Sequence, residues 1–220
     1  MSRDPARSLA PFLGGRLCLD FANTLNWRLT AEPQELLPDY ATLLRWSRSG
    51  GFLPMAAVDR LEALSGRQPA TADSVMREVR VFRDEICRAA TALAAHGDGG
   101  HRPSLDLAPF NYRLAKLPVL PRLVPVEAPA DGTAAGTAGY VYDLPGRTLE
   151  EPLWPILWSW AALLTSLDAS RLGSCQGQGC GWFFVDESPN RTRLWCSSEL
   201  CGNRERARRA YAKRRAAATS

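Results

Sequence analysis

The chain has only two histidines, His96 and His101, and both sit in a glycine-rich stretch. It has no Walker-type phosphate loop, no dinucleotide glycine motif and no nucleophile elbow. Nucleotide-driven, hydride-transfer and serine-hydrolase chemistry therefore lose their usual signatures, and no enzyme is expected. No apolar run approaches the roughly 20 residues that a membrane helix needs. The opening residues, Met1 to Pro5, lead into no apolar segment of the kind a secretory signal requires. The expectation is a cytoplasmic protein without a membrane partner, its thiols reduced.

What is present is ordinary in amount and uneven in distribution. The 220 residues are 45% hydrophobic and 23% charged, enough for one substantial core with a small module appended. From Asn190 to the end there are nine Lys/Arg against Glu199 and Glu205, a balance of +7. Residues 1–189 carry 18 basic and 21 acidic side chains, or −3. A mildly acidic body with a basic end points to a polyanion partner, against the alternative of a solvated helix that binds nothing.

Most of the body reads as helix. Leu17, Phe21 and Leu25 recur every four residues after the Gly14-Gly15 break, with Asp20, Asn23 and Thr24 among them as intramolecular hydrogen-bonding groups. Asp39 is placed to cap a helix whose inner face is Tyr40, Leu43, Leu44 and Trp46, and Gly50-Gly51 stops it. Pro54 opens a short helix through Met55, Val58, Leu61 and Leu64. After a loop at 68–71, Val75, Val79, Phe82, Ile86, Ala89 and Leu93 make one apolar stripe over 74–95. Arg77, Arg80, Arg83 and Arg88 with Glu78, Asp84 and Glu85 then read as its solvated, ion-paired surface.

Residues 120–127 and 139–144 are β-rich and flank a Gly/Ala/Pro loop at 128–138, as in a hairpin. Thr148 and Glu151 have capping-box spacing ahead of a tryptophan-rich helix, whose Trp154, Trp158 and Trp160 read as core.

Two cysteines, Cys18 and Cys87, stand alone in apolar surroundings and read as small buried hydrophobes. Cys175, Cys180, Cys196 and Cys201 are different. They form two pairs, each with four residues between its members, separated by fifteen. Structural zinc takes four ligands in a tetrahedron and suits thiolate sulfur. Two disulfides would use the same residues but need an oxidising compartment. A redox switch that releases the metal stays open. The histidines are not needed as further ligands, and a four-sulfur shell leaves no position for catalysis.

Between the pairs, residues 182–185 read as a strand, 186–190 as a turn and 193–195 as a return strand. Beyond Gly202 an Arg/Ala-rich run reads as helix to about Ala216. Knuckle, hairpin, knuckle and helix make a treble-clef-like finger. The fold class expected is mainly α, with a small hairpin in the N-terminal domain and a C-terminal four-cysteine finger.

At this point the sequence resembles a known family. Cys201-Gly202-Asn203-Arg204 is the tetrapeptide of the CGNR zinc finger, and Cys175, Cys180-Gly181, Phe184-Val185-Asp186, Ser188, Arg193 and Trp195-Cys196-Ser197 fit its pattern. The stretch from Gly14 to Thr24 resembles the opening of the ABATE domain that precedes this finger. The resemblance implies an ABATE-like helical domain over 1–170 and the finger with its basic helix over 171–220. It also implies Zn2+ on the four cysteines and a role in stress-induced transcription regulation.

Within the tetrapeptide, Gly202 is expected to permit close backbone approach and Asn203 to bond a thiolate or the turn. Arg204 is expected to pair with an acid such as Asp186, or else to touch phosphate. The candidate nucleic-acid contacts are Arg206, Arg208, Arg209, Lys213, Arg214 and Arg215, presented to duplex DNA. Arg206, Arg209 and Lys213 share one face, and Arg208 and Arg215 a neighbouring one with Tyr211 between. The body would then sense a signal or form a homodimer. The rival readings are a zinc-stapled protein adaptor, and an RNA binder that stacks bases on Trp182, Phe183 or Trp195. Exposed aromatics would favour RNA; buried ones would favour duplex DNA or a protein partner.

Overall fold

A computed structural model describes residues 9–96, 103–117, 122–125 and 140–218. Its centre is a short helix, α1 (Leu17–Ala22), in which Cys18, Leu19 and Phe21 are wholly buried. α1 is wedged between a long helix, α4 (Pro69–His96), and the tryptophan-rich α6 (Trp154–Thr165). α2 (Tyr40–Gly50) and α3 (Met55–Arg67) pack on each other and on α4. Asp39 caps α2 by accepting from the Thr42 N–H at 2.7 Å, and Gly51 closes it in the left-handed conformation, φ 65°. Tyr40, Leu43, Leu44 and Trp46 all face the core, as their spacing predicts.

The apolar stripe of α4 is buried as expected apart from half-buried Ala89, but the helix begins at Pro69 rather than 74. Proline fits a first helical turn, where its missing N–H has no intrahelical partner to lose. Arg83 departs from the solvated surface assigned to it. It is 3% exposed and grips Glu35 through both guanidinium nitrogens at 2.7 and 2.6 Å, with Thr24 Oγ1 at 3.1 Å. The bidentate carboxylate compensates the buried charge.

Glu35 sits on β2 (Gln34–Glu35), which pairs antiparallel with β1 (Leu25–Asn26). The four-residue periodicity through Leu25 therefore does not continue as helix. The chain turns after Ala22, with the Thr24 hydroxyl donating to the Phe21 carbonyl at 2.7 Å. α5 (Ala108–Ala115) had no periodic signal. It is held by buried Phe110 and by Arg113, which pairs with Glu78 and Glu85 of α4.

The expected hairpin is formed by β3 (Leu123–Pro125) and β4 (Tyr140–Tyr142), antiparallel. Its loop at 128–138, His101 and the side chain of His96 lie outside the described residues. Glu151 is fully buried and accepts from the backbone N–H groups of Gly146, Arg147 and Thr148, so it organises the turn before α6. Trp154 and Trp160 are core residues, and Trp158 packs against Tyr142 at 4.4 Å between ring centroids.

Candidate metal centre

β5 (Leu172–Ser174) and β6 (Phe183–Val185) pair antiparallel, and Cys175 and Cys180 lie in the loop at their tip. The return strand expected at 193–195 does not form; β6 takes its partner from upstream. Its other edge is already occupied. Asn23 donates to the Phe183 carbonyl at 2.9 Å and accepts from the Phe183 N–H at 2.7 Å, and the Val185 N–H donates to the Gly14 carbonyl at 2.9 Å. Instead of pairing as a strand, the 193–195 segment is fixed by the Arg193 side chain. Its guanidinium donates to the carbonyls of Trp195, Val185, Leu13 and Cys196 and lies 4.2 Å from the Phe184 ring centroid.

Asp186 completes this knot by accepting from the N–H groups of Ser188 and Arg193, each at 2.9 Å. Burial alone would raise its pKa; these hydrogen bonds outweigh it and hold the carboxylate below its usual range. Cys196 then leads into a π turn (Ser198–Gly202), capped by the Ser197 hydroxyl, which accepts from the Glu199 and Leu200 N–H groups. The turn places Cys201 at the start of α7 (Asn203–Ala218).

All four cysteines are buried, and their sulfurs lie within 4.8 Å of one another. The Cys180–Cys196 and Cys196–Cys201 separations are 3.9 and 3.4 Å. A tetrahedral ZnS4 site with Zn–S near 2.3 Å has sulfurs about 3.8 Å apart. The donor set, its spacing and its closure fit Zn2+.

The electrostatics point the same way. Hydrogen bonds from Cys180 and Cys196 push the Cys175 thiol far down, and the same proximity pushes Cys180 and Cys196 up. A divalent cation is what allows all four to be thiolates together. Around the sulfurs, the Gly177 N–H faces Cys175 Sγ at 3.4 Å, and a Cβ on Gly177 would stand 3.1 Å from Cys201 Sγ. Such outer contacts orient and tune metal ligands.

Arg204 does not pair with Asp186. Its Nη2 donates to Cys201 Sγ at 2.9 Å, and its guanidinium stacks over Trp27 at 4.3 Å. Asp186 is already occupied by the N–H groups of Ser188 and Arg193, while Arg204, three residues beyond Cys201, is taken up by that thiolate and by Trp27 of the body. Asn203 bonds the turn through its backbone N–H, which donates to the Ser198 and Leu200 carbonyls, while its side-chain Oδ1 accepts from Arg206 at 2.5 Å. Gly202 does sit close to its surroundings, with Trp195 Cδ1 3.2 Å from where a Cβ would be.

That the body supplies part of this centre is not legible in the sequence. The loop after β1 lies over the Cys175–Cys180 knuckle. Leu29 N–H donates to the Gly179 carbonyl at 3.1 Å, and Arg28 bonds the Gly181 carbonyl while stacking on Phe183 at 4.1 Å. Gly181 adopts φ 68°, and a Cβ there would meet Leu29 at 2.6 Å. The one usable signal was Asn23, a polar residue within an apolar stretch, whose bonding partner proves to be the finger.

Of the six candidate nucleic-acid contacts, all are exposed on α7. Arg206 is tied to Asn203 and the Ser198 carbonyl. Arg208 bonds Glu205 and Gln178, and buried Glu205 also accepts from the Gln178 N–H at 3.0 Å. That backbone bond, with the nearby guanidinium of Arg208, holds Glu205 below the usual carboxylate range. Arg209, Lys213, Arg214 and Arg215 follow along the outer turns of the helix. Trp182 and Phe183 are buried and Trp195 is half-buried, so these three side chains form no exposed stacking platform.

Comparison with known proteins adds two matches. Residues 15–167 match the family ABATE, described as "Putative stress-induced transcription regulator", and residues 171–214 match the CGNR zinc finger. No curated protein matches the chain.

Proposed function

The chain belongs to the ABATE family and ends in a CGNR zinc finger, and from this premise we propose that it is a DNA-binding transcription regulator without catalytic activity. Zn2+ on Cys175, Cys180, Cys196 and Cys201 would fix the π turn and so the direction in which α7 leaves the body. α7 would present its cations to the phosphates of duplex DNA, a contact that positions the protein and makes binding salt-dependent.

The observation that carries this reading is the helix itself. Sixteen residues, Asn203–Ala218, carry seven Lys/Arg against one acid, Glu205, and that acid is turned inward onto Gln178. The burial of Trp182 and Phe183 weighs against base stacking and hence against single-stranded RNA. The four-thiolate shell is closed to substrate, which supports a structural metal.

The test is binding of the zinc-loaded protein to random duplex DNA, single-stranded DNA and RNA across a salt series. Salt-sensitive duplex binding that disappears when residues 203–220 are removed supports the reading. Its stoichiometry shows whether a homodimer binds. Absence of binding to all three at low salt overturns it and leaves the protein-adaptor reading.

A further inference from the structure

The order of side chains around α7 carries more than a charge count. At about 100° per residue, positions three and four apart share a face. Ala207, Ala210, Arg214 and Ala217 follow steps of three, four and three, and so form one stripe. Arg206, Arg209 and Lys213 form a second row, beside the first. Arg204, Arg208, Tyr211 and Arg215 form a third, on the other side.

The body fixes which stripe faces outward. Glu205 is buried against the knuckle. Arg214 lies nine residues further on, two and a half turns, and so on the opposite side of the helix. The alanine stripe therefore points directly away from the body, along a helix whose packing partner is the π turn at its own start.

Resting on the DNA-binding reading, we propose that α7 enters the major groove of a duplex along this alanine stripe, and that Arg214 is the side chain that meets base edges. The major groove is about 12 Å wide and takes an α-helix of about 10–12 Å. Methyl-sized side chains let the backbone approach the groove floor. The two flanking rows then reach the two phosphate strands, one on each wall. In row three, Arg208 is held in place before binding by Glu205 and Gln178, while Arg204 is turned onto Cys201 and Trp27 at the start of the helix. Row two is partly so, through Arg206 on Asn203. Arg214 is the sole cation within the alanine stripe, and arginine's fork matches the O6/N7 edge of guanine.

The experiment uses the full-length, zinc-loaded protein and a short random-sequence duplex. Methyl green, a major-groove ligand, is expected to displace the protein, and netropsin, a minor-groove ligand, is not. Ala210→Phe, which blocks the stripe without altering charge, is expected to weaken binding about ten-fold or more. Ala212→Phe, with the same helix propensity but on the side away from the groove, stays within about two-fold. Zinc content and helicity of both variants are measured alongside, so a folding defect is seen as such.

Selection from a randomised duplex pool is expected to yield a fixed G·C pair that Arg214→Lys no longer selects. If wild-type protein binds duplex in a salt-dependent way but yields to netropsin alone, or tolerates Ala210→Phe, the groove assignment is overturned and the DNA-binding reading stands. Identical selected sequences for wild type and Arg214→Lys overturn the base-reading role. If wild type binds no duplex, both readings fall together.

Discussion

Asn23 offers the sharpest test of how the finger is joined to the body. It is 1% exposed, and both ends of its amide are spent on one residue, Phe183, whose N–H and carbonyl it satisfies at 2.7 and 2.9 Å. The amide acts as a one-residue strand on the outer edge of β6. Asn23→Leu has a similar volume and removes both bonds. Two buried backbone groups are then left unpaired, at about 1–3 kcal/mol each. The added leucine surface offsets about 1 kcal/mol of this. A net loss of about 3 kcal/mol is expected, or roughly 6–12 °C in Tm for a chain of this size.

The assay is thermal unfolding of the zinc-loaded variant, paired with competition for zinc by a chromogenic chelator. Because β6 leads directly out of the knuckle that holds Cys175 and Cys180, zinc retention is expected to fall together with Tm. A Tm within about 2 °C of wild type would refute the account of buried pairing. A large Tm loss with zinc affinity unchanged would refute the coupling of finger to body.

Arg193→Lys is expected to weaken zinc retention about 10–100-fold in the same chelator assay, because an ammonium cannot replace a fork that serves four carbonyls at once. Burial raises the Asp20 carboxyl to about 6 against the Gly14 N–H that favours its ionised form. The folded-state pKa thus exceeds the unfolded one, so Asp20 costs stability progressively as pH rises toward and through 6. The stability of Asp20→Asn relative to wild type is expected to increase by about 1 kcal/mol between pH 5 and 7, read by urea unfolding; parallel profiles would refute it. After zinc is stripped at neutral pH, four thiols are expected to react promptly with a disulfide reagent. Cys18 and Cys87, buried and pushed up to about 12 and about 11, react only on denaturation, and six prompt thiols would show that the body unfolds with the finger.

The local elements were legible wherever one short window contained the physical cause. Cap, apolar stripe and stop fall within a dozen residues in α2, so Asp39, Trp46 and Gly51 could be read directly. The four cysteines were legible because thiolate chemistry and spacing restrict the choice of partner. The charge of the C-terminal helix was legible because it is a local sum. Helix α5 and the β1–β2 hairpin were not, since each depends on a distant anchor: Phe110 and Arg113 on α4 in one case, Arg83 on Glu35 in the other.

By itself, then, the sequence determined the helical body, the four sulfur ligands and the basic helix, because each follows from composition and periodicity along a continuous stretch. Tertiary structure alone decided that Arg204 turns to Trp27 and Cys201 rather than Asp186. It also decided that β6 pairs upstream with β5, and that residues 23–30 of the body close over the zinc knuckle. The reason is one of partners: a guanidinium, a strand edge or a buried amide has many acceptable mates of the same chemistry. Only packing in three dimensions, with every buried donor and acceptor to be satisfied, selects among them.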